Sequence, residues 1–434
     1  MLQKKKDLKG EDPLKAILAS ALEGRASDIH IEPLSDALRI RFRVDGILQE
    51  YASIPLYEYE SILNRIKIAS DIPLVRHTMP VEGHLSASIG QLYAESGSET
   101  SSSLTDKLSN LFIITKTSDQ QKRGTIGITS PEVSRSAETT LDVRVSIFPV
   151  VEGEAAVLRV LNRQETLVHL ENLGMGHEDL ATLKRLIART YGMILVTGPA
   201  GSGKSTTLYS ILQSLRSKEK NIITLEDPVE YRFKDIRQSE IKPDQGYNYA
   251  DGMRSILRQD PDIIMIGEIR DADTAEYTIR ASLTGRLVFS TIHSNTTVGT
   301  IARLFDMNIE RSLIAYALNG IISQRLIRKI CDTCRSPYMP DPEYLLYFGL
   351  DQNSYSFTRG KCCEACSVTG YYGRTGIYEV LELDNNLRSL IIERSSMSVL
   401  QEYVASTNMK TLKDAAREKV LTGITTIEEA AKAV

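Results

Sequence analysis

The sequence predicts an α/β protein whose largest domain is a mostly parallel sheet covered by helices on both faces. Four short apolar runs rich in Ile and Val, at 193–197, 222–225, 263–266 and 287–292, alternate with segments of helical periodicity. Such runs are typical of strands that are buried on both faces of a sheet. A glycine-rich motif after the first run, and five cysteines confined to residues 331–366, mark where we expect chemistry.

Composition is that of an ordinary soluble protein. The 434 residues allow two or three domains, with 42% hydrophobic and 25% charged residues. A net charge of −4 offers no basic footprint for nucleic acid, so no direct nucleic-acid binding is expected. No apolar run approaches the ~18 residues of a transmembrane segment, and Met1–Asp7 lacks the apolar region of a signal peptide. The sequence therefore predicts a cytoplasmic protein with reduced thiols.

Residues 1–165 are predicted to form a smaller α/β domain. Within it, residues 90–140 are rich in serine, threonine and glycine, a composition that buries too little apolar surface to offset the entropy of ordering. We expect a mostly flexible insertion there, with one apolar run at 111–114 that could add a strand. The other predicted elements are a helix over 13–22 and strands over 38–45, 143–147 and 156–161.

Residues 198–205 form a complete G-x-x-x-x-G-K-[ST] motif between a predicted strand and a predicted helix. The glycines of such a loop let backbone N–H groups curl around phosphate oxygens at the positive end of the helix. Lys204 is expected to reach the β- and γ-phosphates of a nucleoside triphosphate, and the Ser205 hydroxyl to bind Mg²⁺. The candidate nucleotide-binding residues are Gly198, Pro199, Ala200, Gly201, Ser202, Gly203, Lys204, Ser205 and Thr206.

Polar side chains follow the other three runs of the predicted sheet. The run at 263–266 leads through Gly267 to Glu268, as in a Walker B carboxylate that holds Mg²⁺ through water or polarises the attacking water. The acidic cluster after the run at 222–225 either completes the surroundings of the metal or is an acidic turn begun by Asp-Pro. A histidine after the run at 287–292 could sense the γ-phosphate. The candidate catalytic residues here are Glu226, Glu230, Glu268 and His293.

Four of the cysteines form two C-x-x-C pairs separated by 28 residues. Four thiolates at this spacing favour a closed, tetrahedral Zn²⁺ site with a structural role, because no position remains open for catalysis. Cys362 is left over from such a site, and five unrelated buried cysteines are the alternative to it. The candidate metal ligands are Cys331, Cys334, Cys363 and Cys366.

The C-terminal residues 329–434 are predicted to be an extension that carries this zinc site and several helices. Gly423 should end one helix, and Thr425–Glu428 offers a capping box for the last. The nucleotide-binding core then occupies residues 173–328.

Together these motifs resemble the secretion ATPase superfamily, which powers type II secretion and type IV pilus machines. The phosphate loop, an acidic box at 224–231, a Walker B segment at 256–271 and a histidine box at 284–293 occur in the order of the family hallmarks. The resemblance covers nearly the whole chain outside 90–140. It includes Ala26–Pro33, Arg43–Gly46, Gln324–Leu326 and Gly373–Glu379.

The resemblance implies a RecA-like core with a PAS-like N-terminal domain, working as a homo-hexamer that hydrolyses Mg-ATP. Glu226 and Glu230 would lie near the metal, while Glu268 would support hydrolysis. His293 would link the γ-phosphate to movement. Arginines of the N-terminal domain would help to close a neighbour's nucleotide site, which can accelerate phosphoryl transfer ~10³–10⁵-fold. A solvated arginine face is an equal alternative for any one of the candidates Arg43, Arg144 and Arg159.

The four-cysteine module resembles the assembly branch of the family rather than the retraction branch. The implied partners are inner-membrane platform and docking proteins, with the protein cytoplasmic and peripherally associated with that membrane. The chain begins near the nucleotide-side N-terminal domain, so the docking domain of larger relatives is expected to be missing. Whether the exported object is a pilus, a pseudopilus or a DNA-uptake fibre stays open.

Two departures from the family pattern keep other functions open. Arg286 stands where histidine boxes commonly have an earlier histidine, and Pro80–His84 is a degraded form of a P-Q-D-G-R segment. Both motivate a nucleotide-binding scaffold with weak hydrolysis. A zinc-ribbon nucleic-acid translocase is the other alternative, against which the net charge speaks. It is motivated by the basic residues Arg325, Arg328, Lys329 and Arg335.

Overall fold

The computed structural model describes residues 12–88, 140–161, 168–351 and 354–434. The chain divides into two compact units, Met1–Thr166 and Leu167–Val434. The predicted insertion at 90–140, with its apolar run at 111–114, lies outside the described residues except for Thr140. Within the described part of the chain, no helix is long and apolar enough to cross a membrane. The further division of the second unit into a core and a zinc-bearing extension stays a prediction.

The first unit is a six-stranded antiparallel sheet with the strand order β3-β2-β1-β6-β5-β4. The strand predicted over 38–45 is confirmed, and its alternate residues Leu38, Ile40 and Phe42 are buried in a core shared with both helices. The arginines between them therefore lie on the opposite face. The elements are α1 (Pro13–Glu23), β1 (Ala26–Pro33), β2 (Ala37–Val44), β3 (Ile47–Pro55), α2 (Tyr59–Ala69), β4 (Val81–Ser88), β5 (Thr140–Val150) and β6 (Gly153–Leu161).

The second unit is a seven-stranded sheet with the order β15-β12-β7-β11-β10-β8-β9. All neighbouring strands are parallel except β15, which runs antiparallel to β12. The four apolar runs are confirmed as strands at the centre of this sheet, and all their side chains are buried. The strands are β7 (Gly192–Thr197), β8 (Ile222–Glu226), β9 (Arg237–Glu240), β10 (Ile263–Ile266), β11 (Leu287–Ile292), β12 (Leu318–Ile330) and β15 (Tyr371–Glu382).

Helices follow most of these strands and cover the sheet with apolar faces. A separate small ribbon of β13 (Arg335–Tyr338) and β14 (Phe357–Gly360) lies between the two cysteine pairs. The helices of this unit are α3 (His177–Ile187), α4 (Lys204–Leu215), α5 (Tyr249–Ile256), α6 (Ala272–Leu283), α7 (Thr297–Asp306), α8 (Arg311–Ala317), α9 (Pro342–Phe348), α10 (Asn385–Ile392), α11 (Met397–Ser406), α12 (Leu412–Leu421) and α13 (Ile427–Ala433).

The long hairpin of β12 and β15 was not anticipated as strands. The cysteine pairs lie at its tip, since Cys331 directly follows β12 and Cys366 shortly precedes β15. Near its other end, the buried Glu379 accepts hydrogen bonds from the Thr297 hydroxyl at 2.6 Å and from the Leu412 N–H at 3.4 Å. One carboxylate therefore fastens the beginnings of α7 and α12 to the sheet.

The capping box proposed at Thr425–Glu428 is wrong by one residue. The N-cap of the last helix is Thr426, whose hydroxyl accepts a hydrogen bond of 3.2 Å from the Glu429 N–H. The Glu429 carboxylate binds the Arg328 guanidinium at 2.6 Å and does not accept a hydrogen bond from the N–H of Thr426. A charge-assisted, two-point contact with arginine is stronger than one hydrogen bond from a backbone N–H. A complete capping box does occur one helix earlier, between Thr411 and Asp414.

Candidate nucleotide site

The phosphate loop connects β7 to α4 at the carboxyl edge of the sheet. Gly203 is left-handed at φ 87° directly before the first helical residue, Lys204, so the helix begins with free N–H groups aimed back over the loop. Gly198 has φ 145°, and a Cβ there would lie 2.3 Å from the Gln324 carbonyl oxygen. Glycine is therefore needed at both positions because of their positive φ angles and the lack of space for a Cβ, in addition to its part in phosphate binding.

Lys204 folds back over the loop. Its Nζ donates to the carbonyl oxygens of Gly198 at 2.8 Å and Pro199 at 3.0 Å. Burial lowers the pKa of its ammonium, and the nearby Glu268 carboxylate partly opposes this effect. A partly desolvated ammonium that donates to two carbonyl oxygens is suited to bind an anionic phosphate group, because the negative charge compensates for the water that the ammonium has lost.

A cavity of about 210 Å³ lies beside the loop and is lined by residues of α4 and by residues at or just after the ends of β8, β10 and β11. The parallel pairing places these ends at one edge, with the end of β11 level with Thr197. The Thr197 hydroxyl is within 2.9 Å of the Ile292 and Ser294 carbonyls and so holds the histidine segment beside the loop. The candidate residues that line this cavity are Lys204, Ser205, Glu226, Glu230, Glu268 and His293.

Glu268 lies at the centre of an ionic network. One carboxylate oxygen pairs with Arg270, and the other lies 3.4 Å from the Nε2 of His293. Arg270 also reaches the Asp227 carboxylate at 3.2 Å. The guanidinium thus compensates two neighbouring acids that would otherwise repel each other. The imidazole is 59% exposed, so a ligand in the cavity can reach both it and the carboxylate.

Glu226 is placed differently from the other acids. It is 3% exposed and accepts hydrogen bonds from the Tyr209 hydroxyl, from Thr224 at 2.5 Å and from Gln238 at 3.1 Å. Burial raises the pKa of this carboxyl, although the three donors oppose that shift. The Tyr209 hydroxyl also accepts the Glu230 N–H at 3.1 Å. Glu226 therefore organises the cavity wall, whereas Glu230 is exposed beside it.

The three N-terminal arginines belong to the first unit, where strand register aligns them. Asp28 on β1 lies opposite both Arg43 and Arg159, and Arg159 lies opposite Arg144. Residues directly opposite each other in antiparallel strands share a face. The Asp28 carboxylate is 3.1 Å from the Nε of Arg159 and 3.7 Å from that of Arg43. Within the described ranges, Arg144 has no acidic partner.

The degraded segment at 80–84 extends the row of facing residues formed by Arg43, Asp28, Arg159 and Arg144. His84 on β4 lies opposite Arg144, and its Nε2 is 3.8 Å from the Asp142 carboxylate. The histidine thus stands on the arginine-bearing face, where the family segment has its arginine.

Arg286 lies at the far end of β11 from His293. It precedes the strand, and its guanidinium donates to the Thr284 carbonyl at 2.9 Å. A strand of this length separates the two positions by roughly 20 Å, since each residue adds ~3.3 Å. This departure from the family pattern therefore does not touch the cavity.

The four candidate metal ligands converge as their spacing predicts, with their sulfur atoms all within 4.8 Å of one another. The Sγ–Sγ distances are 3.8 Å for Cys331–Cys363, 3.9 Å for Cys334–Cys366 and 3.8 Å for Cys363–Cys366. A tetrahedral ZnS₄ centre with Zn–S of about 2.3 Å has edges of about 3.8 Å, so the donor set fits Zn²⁺. The Gly370 N–H donates to the Cys366 sulfur at 3.2 Å, a contact that steadies a thiolate ligand.

Cys362 stays outside this cluster. It is exposed and has φ 65°, in the left-handed region that favours glycine.

Sequence reasoning missed several residues of the site. Tyr209 and Tyr249 line the cavity, and a Cβ at Gly267 would lie 2.9 Å from the Tyr249 hydroxyl. Arg270 lies in the Walker B segment, but its pairing with Glu268 and Asp227 was not predicted. Helical spacing could have suggested Tyr209, which follows the motif on the same helix, but nothing local connects Gln324 to the loop.

Comparisons with known proteins agree with this geometry. A family model described as type II/IV secretion system protein matches residues 3–95 and 132–432. The type II secretion system ATPase E of Vibrio cholerae is 38% identical over 418 residues, covering 96% of this chain and 73% of that protein. The type IV pilus assembly ATPase PilB of Myxococcus xanthus is 37% identical over 95% of this chain and 66% of its own length. The ADP-bound pilus retraction motor PilT superposes with a TM-score of 0.57 at 25% identity and 96% coverage of both chains.

Proposed function

The chain belongs to the family of type II/IV secretion system proteins, and from this premise we propose that it is a hexameric Mg-ATP-hydrolysing motor that drives pseudopilus or pilus assembly. One observation carries the proposal beyond family membership. The phosphate loop, Glu268 and His293 surround a single cavity, and the main carboxylate is already held in place.

Binding rests on the loop and the first turn of α4. The N–H groups of the loop and the partly desolvated Lys204 offer donors to the phosphates. Ser205 and the acids of the cavity would hold Mg²⁺, which supplies charge neutralisation at the phosphoryl group when bound. Hydroxyl and carboxylate oxygens are the ligands that this hard cation prefers, so the donor set fits it.

Hydrolysis needs an oriented water beside the γ-phosphate. Glu268 is suited to accept the proton of that water, because both of its oxygens are held in one orientation by Arg270 and His293. His293 is also exposed and lies beside the loop, so its contact with Glu268 can change when a γ-phosphate is present. We infer that this pair transmits the state of the nucleotide to α7.

The N-terminal arginines are proposed to complete a neighbouring subunit's site. They share one sheet face, and the Arg159 side chain is 66% exposed, so it is available to a phosphate from another chain. This supports a homo-hexamer in which nucleotide sites lie between subunits. We place the motor on the cytoplasmic side of the inner membrane, working with platform and docking proteins of its machine.

ATPase assays of purified protein test the proposal. Lys204→Ala should abolish nucleotide binding, since the loop loses its only cationic side chain. Glu268→Gln should retain binding and lower kcat ~10²–10⁴-fold, the contribution typical of a positioned general base. Glu219→Gln, on an exposed residue after α4, is the matched control and should turn over like wild type. Full turnover in Glu268→Gln would contradict the assignment, and absent turnover in wild type would favour the scaffold alternative.

The nucleic-acid translocase is less well supported. The basic residues that motivated it are partly neutralised, because Arg328 pairs with Glu429 at 2.6 Å and Arg335 with Asp332 at 2.8 Å. Filter binding over a range of salt concentrations would detect a nucleic-acid site by its steep salt dependence.

A further inference from the structure

Gln324 lies on β12 directly behind the phosphate loop, and the hydrolysis scheme gives it no role. It is 1% exposed, and its Oε1 accepts a hydrogen bond of 2.7 Å from the hydroxyl of Thr207 in the first turn of α4. Thr207 is itself fully buried. An uncharged polar pair is thus enclosed beneath the loop that binds phosphate.

The loop rests on Gln324 at both of its ends. A Cβ at Gly198 would lie 2.3 Å from the Gln324 carbonyl oxygen, and a Cβ at Gly203 would lie 2.8 Å from its Nε2. Leu326, on the same side of the strand, would be 3.5 Å from a Cβ at Gly203. Gly198 therefore packs against the backbone of β12, and Gly203 packs against two of its side chains.

Packing alone does not explain a glutamine here. An apolar side chain of similar length would fill the space without the cost of burying an amide, which must be offset by hydrogen bonds. The neighbouring strand, β15, also carries a buried polar side chain with a hydrogen-bond partner. Tyr378 lies opposite Gln324, and its hydroxyl donates to the Leu173 carbonyl at 3.1 Å. The polar contacts tie α4, β12 and the loop into one arrangement.

We propose that the Gln324 side chain is a positioning residue for the phosphate loop, acting through its hydrogen bond with Thr207 and its contact with Gly203. It holds the loop N–H groups in the phosphate-binding arrangement before nucleotide arrives, so less ordering is needed on binding. The inference rests on the proposed function only in that the loop must bind nucleotide. Gln324 itself touches no phosphate.

Calorimetric titration of the full chain with ADP and with a slowly hydrolysed ATP analogue tests this role. Gln324→Met keeps the volume and removes the acceptor, and we expect the Kd to rise about tenfold. Thr207→Val removes the same hydrogen bond from the other side and should have a similar effect, whereas Thr207→Ser keeps the hydroxyl and should bind like wild type. The double variant Gln324→Met/Thr207→Val should be no worse than either single one, because both remove one interaction.

Melting temperatures measured in parallel separate positioning from stability alone. A lower melting temperature with an unchanged Kd would overturn the proposal, as would full additivity in the double variant or failure of Thr207→Ser to bind like wild type. Gln401→Met, at an exposed position on α11, controls for the substitution itself and should change neither quantity. If the wild-type protein binds no nucleotide, the proposed function fails. If the wild-type protein binds nucleotide and Lys204→Ala does not, the loop is the binding site, and the Kd values of the Gln324 and Thr207 variants then test the role of Gln324 alone.

Discussion

Asp179 shows how burial governs a single carboxyl group in this chain. It lies in the first turn of α3, is 7% exposed, and its burial raises the pKa to about 6. Lys410 opposes this shift, while Glu418 and Glu178 add to it. A folded-state pKa above the unfolded value of ~3.9 means that the native state binds the proton more tightly. The free energy of unfolding must then fall as the pH rises from about 4 to about 6.

Replacing this carboxyl should remove that pH dependence. Asp179→Asn is expected to raise the free energy of unfolding at pH 7.5, on the order of 1–2 kcal/mol, and to have less effect toward pH 4. Urea denaturation of both proteins across this range measures it. Asp244→Asn, at an exposed position, should shift neither curve. A variant less stable than wild type at pH 7.5 would show that the ionised carboxylate is stabilising after all.

At the scale of elements, strand register gives the N-terminal arginines their common face. Asp28, with 11% of its side chain exposed, stands between Arg43 and Arg159 and neutralises part of their repulsion. Asp28 thereby restrains both guanidinium groups above the sheet, while 66% of the Arg159 side chain stays exposed. Whether they act on a neighbour's nucleotide stays a prediction.

Variants of this row test that prediction. Arg159→Ala should lower kcat at protein concentrations that favour assembly while leaving the ATP affinity nearly unchanged, because the arginine acts in the transition state. Asp28→Asn should lower kcat by a smaller factor, about 3–10-fold, since it only loosens the arginines. Asp36→Asn, in the exposed turn between β1 and β2, should behave like wild type. If Arg159→Ala keeps full kcat, the arginine face is merely solvated.

The long hairpin of β12 and β15 connects distant functions. Its tip carries the cysteine cluster, its middle supports the phosphate loop through Gln324, and its other end holds α7 and α12 through Glu379. Sequence periodicity did not identify these strands, because Leu318–Ile330 mixes apolar and charged residues and its burial depends on the strands beside it.

At the scale of the whole molecule, the zinc site is expected to stabilise the C-terminal third without forming part of the nucleotide site. Two hydrogen bonds link the cysteine cluster to the hairpin. The Gly370 N–H donates to the Cys366 sulfur at 3.2 Å, and the Cys331 N–H donates to the Gly370 carbonyl at 3.0 Å. Metal binding to a site that exists only in the folded state adds to folding stability.

Chelation of zinc should therefore lower the melting temperature and increase amide exchange in β12, β15 and α13, with nucleotide binding retained. Hydrogen-exchange mass spectrometry with and without chelator measures the change, and added Zn²⁺ should reverse it. Unchanged melting after proven metal removal would refute the structural role.

Some features were predictable because consecutive or closely spaced residues encode each of them. They are the four central strands, the phosphate loop and the cysteine pairs. An apolar run, a glycine pattern or a C-x-x-C pair needs no knowledge of distant partners. The family that the order of these local motifs resembles is confirmed. The edges of elements were less predictable, as the displaced capping box at Thr426 shows.

By itself the sequence determined which chemistry the chain carries: a triphosphate loop, a carboxylate at a strand end and four thiolates. The tertiary structure alone decided how those groups are held. Strand order and register bring Glu268 together with Arg270 and His293. They also place the phosphate loop against Gln324 and align Arg43 and Arg159 on either side of Asp28. Those are contacts between residues up to 131 positions apart, and only the strand pairing within each of the two sheets brings them together.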